Sequence, residues 1–244
     1  VQDYRMIEDG DKIAVGISGG KDSLTLLYAL AHLRIFYPKK FELCAITIDM
    51  GFEGADFSAV SALCEQLGVE YRIIPTQISK IIFDVRKESN PCSLCAKMRR
   101  GAIHSSAVEL GCNKVALGHH FDDVVETFML NLFFEGRLGC FRPVTYLSRT
   151  GITLIRPMIY MPEKDIRYFA SKAELPIIKS PCPADGNTER EEMKQLIAKL
   201  DRENKGLRYR IFGAIQRGEI DGFKECGKMD GMKAYDNDVL PYEE

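Results

Sequence analysis

Short apolar blocks alternate with stretches of helical spacing along most of the chain. Residues 12–17 form an apolar run ending in a glycine-rich turn, and Leu24, Leu27, Leu30 and Ile35 then recur at helical spacing. The pattern predicts further strands over 41–48, 70–74, 114–117 and 153–156, and helices over 57–67, 93–110, 121–134 and 163–173. Gly68 and Gly111 stop two of these helices, and Pro75 ends the third strand. Such β–α alternation predicts an α/β fold with a doubly wound, mainly parallel sheet and further helices toward the C-terminus. Residues 188–199 read as a helix opened by a capping box, with Thr188 as cap and Glu191 three residues on. From Gly218 the chain is rich in Gly, Asp and Lys, so the expectation is one domain over 1–217 and a flexible tail over 218–244.

Composition narrows the class only a little. The 244 residues are 45% hydrophobic and 28% charged, as in an ordinary soluble enzyme. No apolar run reaches the roughly 18 residues that a membrane span needs, and the first residues lack signal-peptide features. A cytoplasmic protein with no membrane partner is expected. Eight cysteines diluted through a chain of this length read as reduced thiols rather than a disulfide framework. A net charge of −2 argues mildly against a general nucleic-acid coat but leaves room for local recognition of a folded RNA.

The sharpest motif is Ser18-Gly19-Gly20-Lys21-Asp22-Ser23, between a strand and a helix. Its glycines let the backbone approach an anion, and the following helix aims unpaired N–H groups and its dipole there. Ser18 and Ser23 add hydroxyl donors and Lys21 a charge. A Walker A loop would need Gly at position 15 and Ser or Thr after the lysine; Val15 and Asp22 exclude it. Asp49 ends the second strand, either as a turn former or at the rim of a nucleotide site.

Cys92-Ser93-Leu94-Cys95 opens a helix, and by itself admits a redox pair, half a zinc site or two ligands of an iron–sulfur cluster. Cys182, between two prolines in a late loop, is the best-placed further ligand. Three thiols without a suitable histidine suit a cluster better than zinc. Cys44 and Cys64 read as small core residues, whereas Cys140 and Cys226 have no assigned role. Gly118-His119-His120-Phe121-Asp122-Asp123 follows the fourth strand, and its adjacent carboxylates suit helix capping, Mg²⁺ binding or proton transfer. One is expected to be catalytic and the other structural. Lys97, Arg99 and Arg100 follow Cys95, either as a solvated face or as partners for phosphates of ATP or RNA.

Together these motifs resemble the tRNA 2-thiocytidine synthetase (TtcA) family of PP-loop ATP pyrophosphatases. Met6 to Asp11 and Ile155-Arg156-Pro157 complete the anchors. The resemblance implies ATP bound by Ser18, Gly19, Gly20, Asp22, Ser23, Asp49, Gly118 and His119, with Lys21, Asp122 and Asp123 in catalysis. It also implies a [4Fe-4S] cluster on Cys92, Cys95 and Cys182, together with Mg²⁺. The implied reaction is adenylation of a tRNA base, at C2 of cytidine 32 in the anticodon loop, followed by replacement of oxygen by sulfur. Sulfide or a persulfide-carrying protein is the implied sulfur donor, and the late helices offer a homodimer interface. Relatives in this branch carry a second C-x-x-C at the third-ligand site, where this chain has Asp185 after Cys182. A PP-loop ligase or amidotransferase acting on a small metabolite, with C-x-x-C on structural zinc, is the alternative.

Overall fold

The computed structural model describes residues 1–86, 91–178, 182 and 189–225. Its strands are β1 (Asp11–Gly16), β2 (Phe41–Asp49), β3 (Glu70–Pro75), β4 (Lys114–Ala116), β5 (Val144–Leu147) and β6 (Ile152–Ile155). They form one sheet in the order β3-β2-β1-β4-β6-β5, parallel except for β5, which pairs antiparallel with β6. The order reverses between β1 and β4, and open sheets of this kind bind ligands at such a switch point, outside the carboxyl ends of the strands. The doubly wound, mainly parallel sheet expected from the sequence is present.

The helices are α1 (Lys21–Phe36), α2 (Ser58–Gln66), the short α3 (Ile78–Lys80), α4 (Pro91–Glu109), α5 (Phe121–Phe134), α6 (Glu163–Lys172), α7 (Glu189–Glu203) and α8 (Leu207–Arg217). Successive strand residues face opposite sides of the sheet. Ile13 and Val15 thus join one core, with Leu24, Leu27, Val124, Phe128, Ile166, Ile197 and Phe212. Ala14, Cys44 and Ile46 join the other, with Ile103 and Ala107 of α4. Cys44 and Cys64 are buried, as their apolar surroundings in the sequence predict.

Three features depart from the sequence reading. β5 was not expected; it forms a hairpin with β6 across a turn at Gly151, whose φ is 71°. Ile35, on the same helical spacing as Leu24, Leu27 and Leu30, is 75% exposed in the last turn of α1. Asp221 and Phe223, placed by the sequence reading in the flexible tail, are packed onto the body. Asp221 holds the Cys140 N–H at 2.7 Å, and Phe223 is fully buried against Phe212. Residues 226–244, including Cys226, lie outside the described residues, as do Thr188 and Asp185.

Candidate active site

The loop after β1 is shaped by its own side chains. The Ser18 N–H donates to Ser23 Oγ at 3.2 Å, and the two serine hydroxyls lie 3.2 Å apart. Ser23 Oγ also donates to the Gly20 carbonyl at 3.0 Å. Gly19 sits at φ 83°, where a side chain would be strained and would meet Ile178. The Ile178 N–H donates to the Gly19 carbonyl at 2.9 Å, so Ile178 is pinned to the loop.

Beside the loop lies a cavity of about 350 Å³ over the ends of β1 and β2. Ser18, Gly20, Thr47, Asp49, Met50, Arg99 and Ile178 line it, with Phe52 and Phe57 supplying aromatic walls. Asp49 lines this cavity, and its Oδ1 accepts the Gly51 N–H at 2.9 Å as a turn former's does. The size and mixed lining suit a nucleoside next to an anion loop.

Gly118 presses the turn after β4 against the loop helix. A Cβ there would stand 3.1 Å from the Asp22 carbonyl carbon and 3.2 Å from the Ser23 nitrogen. His119, expected with ATP, does not line the cavity; its ring packs on Phe141 with centroids 4.8 Å apart. Burial first, then Arg156 and Arg190, depress its pKa to about 3, so it is a neutral imidazole.

The acidic pair is fully engaged. Asp122 is buried, accepts the Glu163 N–H at 2.7 Å and pairs with Arg208 at 2.5 Å, tying α5 to α6 and α8. Asp123 accepts the His120 N–H at 2.9 Å in a capping box and binds Arg190 at 2.9 Å. The sequence missed this basic layer from α7 and α8, because Arg190 and Arg208 lie far along the chain in ordinary charged helices. Glu163 is a second omission: it binds Lys21 at 3.0 Å, Lys194 at 2.9 Å and Arg167 at 3.1 Å. Burial alone would raise its pKa, but the two lysines outweigh this and hold it at about 2. Burial likewise opposes the charge on Lys21, yet Asp22 and Glu163 raise its pKa. Asp22 Oδ1 is buried without a hydrogen-bond partner, 3.7 Å from His120 Nε2.

Cys92 is exposed and Cys95 half-buried on the first turns of α4, and Cys182 is half-buried; none of the three is in a disulfide. Cys95 titrates above the usual thiol range, through burial first, with Arg99 opposing and its neighbours Cys182 and Cys92 adding to the rise. The three sulfurs therefore share one electrostatic neighbourhood. Three thiols without a histidine beside them are the soft donor set that an iron–sulfur cubane takes, each sulfur binding a different iron. Cys95 Sγ also lies 3.7 Å from Met50 Sδ, on the wall of the cavity.

Comparison with known proteins agrees with this geometry. The PP-loop domain family matches residues 2–200. The tRNA-cytidine(32) 2-sulfurtransferase of Geobacter sulfurreducens is 40% identical over 88% of this chain and 85% of its own length. That of Syntrophotalea carbinolica is 41% identical, over 88% and 84%. In structure, the U34-tRNA thiolase NcsA from Methanococcus maripaludis, solved with its [4Fe-4S] cluster, superposes with a TM-score of 0.73 at 29% identity. That match covers 94% of this chain and 83% of the thiolase. With 40–41% identity over 88% of its length and a domain match over residues 2–200, the chain belongs to the PP-loop family and, within it, to the tRNA-cytidine(32) 2-sulfurtransferases.

Proposed function

We propose that this chain is a cytoplasmic enzyme that uses ATP to replace the C2 oxygen of cytidine 32 of tRNA by sulfur. The observation that carries this reading is the meeting of cysteine set and nucleotide cavity. Met50 and Arg99 line the cavity, Met50 Sδ touches Cys95 Sγ, and Arg99 acts on the same thiol. A group on the cysteines and a nucleotide in the cavity are neighbours.

The adenosine lies in the cavity and the pyrophosphate on the loop, whose N–H groups and helix dipole receive its charge. Asp22, with its unpartnered buried oxygen, and Asp123 are the carboxylates that would take Mg²⁺ with the phosphates. Asp122 serves as a post between helices. Asp123 is the carboxylate that takes part in activation, because its partner Arg190 is 44% exposed and can be displaced. The base must leave its stack to reach this crevice, as single-stranded loop bases do. Its O2 bonds to the α-phosphorus and the bond to pyrophosphate breaks. Sulfur at the sulfide level then bonds to C2, AMP departs with the former O2, and a proton is released. Sulfide provides that sulfur directly, and a persulfide-carrying protein provides it once a thiol reductant has supplied the two electrons that cleave the S–S bond to sulfide.

Cys92, Cys95 and Cys182 would hold a [4Fe-4S] cluster, which when bound supplies an iron without a protein ligand as a site for sulfide. Arg99 lies between cluster ligand and cavity and neutralises the phosphate of AMP as it departs. Cys182→Ala is expected to lose iron and acid-labile sulfide while keeping its fold and its ATP binding. A Cys182→Ala protein that thiolates at the wild-type rate would sink the assignment.

A further inference from the structure

The strand order divides the crevice in two. The nucleotide cavity lies over β1 and β2. Beyond the phosphate loop, over β4, β6 and β5, stand three side chains with no part in that cavity. His119 follows β4, Arg156 follows β6 and Phe141 precedes β5. They form one group, with the His119 ring 4.8 Å from the Phe141 ring and the Arg156 guanidinium 5.0 Å over it.

Two atoms in this group are unexplained by the fold. His119 Nδ1 and Arg156 Nε are buried and have no hydrogen-bond partner. Other parts of Arg156 are well used, since its Nη1 donates to the Arg142 carbonyl at 2.6 Å and lies 3.4 Å from Thr145 Oγ1. Burying a polar atom without a partner costs roughly 1–3 kcal/mol, and two against one aromatic ring are a feature to account for.

Their chemistry is complementary. A guanidinium Nε–H can only donate. A neutral imidazole offers one nitrogen as acceptor, and burial together with Arg156, Arg190 and Arg100 keeps His119 neutral through the physiological range. One acceptor and one donor beside an aromatic face match the edge of cytosine, where N4–H donates and N3 accepts. Uracil presents the reverse, with O4 accepting and N3–H donating. Phe141 and His119 are each half-buried, so part of each side chain stays exposed beside these atoms. Flipped bases are read in this manner, by stacking on an aromatic side chain and by hydrogen bonds to the Watson–Crick edge.

We propose that His119 and Arg156 read N4 and N3 of the target cytidine stacked on Phe141, and thereby set the choice of cytidine over uridine. The idea rests on the tRNA-thiolating reading above and adds its specificity determinant. O2, the atom that bonds to phosphorus, is claimed by neither side chain. A site with buried polar groups made for a substrate rejects an analogue that leaves them unpaired.

The test measures pyrophosphate release with anticodon stem-loop RNAs bearing cytidine, uridine, zebularine (no 4-amino group) or 3-deazacytidine (no N3 acceptor) at the target position. The wild type is expected to favour cytidine over zebularine by roughly 10- to 100-fold. His119→Ala should bring that ratio to within about threefold, while His119→Gln, which still presents an acceptor, keeps most of it. Arg156→Lys keeps the charge but removes Nε–H, and should lose the preference over 3-deazacytidine. A folded His119→Ala protein that is active on cytidine RNA and discriminates as well as wild type overturns the proposal alone. Wild-type protein that releases pyrophosphate with none of the RNAs overturns the thiolation reading and this proposal with it.

Discussion

Gly118→Ala tests whether the turn after β4 sets the phosphate loop. Gly118 does not occupy the left-handed backbone region, so alanine brings no conformational strain and the effect is steric alone. The new Cβ would stand 3.1 Å from the Asp22 carbonyl carbon, 3.2 Å from Ser23 N and 3.3 Å from the Asp22 oxygen. These are backbone atoms of the first turn of α1, which cannot swing aside as a flexible side chain would. Either the loop or the turn must shift by a few tenths of an ångström, and overpacking of this kind costs roughly 1–3 kcal/mol. The displaced atoms include an N–H at the helix start, so much of the cost should appear as a roughly 5- to 100-fold loss in ATP affinity. Gly101→Ala is the matched control. It lies inside α4 with nothing within 4 Å of the added Cβ, and should stabilise the protein by roughly 0.5–1 kcal/mol. Calorimetric ATP binding and thermal melts on both variants give the answer. Wild-type ATP affinity in Gly118→Ala would refute the idea that this close approach shapes the loop.

Three further outcomes follow from the charges around the site. Glu126 is 3% exposed, and burial, with Asp123 adding, lifts its carboxyl from 4.5 to about 7. The folded state binds the proton more tightly than the unfolded chain, so the stability tied to it is whole below pH 4.5 and is lost as pH rises to about 7. Glu126→Gln should therefore flatten a loss of about 3 kcal/mol across that window in urea titrations, and an unchanged pH profile would count against it. Glu163 is the opposite case: its folded value of about 2 lies below 4.5, so its stabilisation is present above 4.5 and lost as pH falls toward 2. Glu163→Gln should lessen that acid sensitivity and also lower the turnover of ATP by freeing Lys21 from its orienting partner. Asp22→Ala should stop pyrophosphate release while iron content stays at the wild-type level; normal release would count against the loop reading.

Much of the fold was legible because parallel strands buried on both faces leave blunt apolar runs, and Gly68 and Gly111 mark real left-handed helix ends at φ 60° and 71°. β5 escaped because Val144 to Leu147 is a half-exposed edge strand of four residues, too short for a clear alternation. Phe223 was hidden in a polar tail, since one buried aromatic gives no periodicity. Ser18 and Gly20, close neighbours in one motif, and Asp49, at the end of β2, all line the cavity. The roles of Glu163, Arg190 and Arg208 depend on helices brought in from 41 to 86 residues away along the chain, and no local spacing announces them. His119 shows the limit of reading by motif: its neighbour Gly118 touches the loop helix, while its own ring turns to Phe141.

The most direct test of the central claim is mass spectrometry of nucleosides from an anticodon stem-loop RNA treated with the anaerobically reconstituted protein, ATP and sulfide. The account predicts 2-thiocytidine at the target position, formed with release of AMP and pyrophosphate and absent when ATP is left out. Cluster-loaded protein that consumes ATP with this RNA yet leaves every cytidine unthiolated would contradict it.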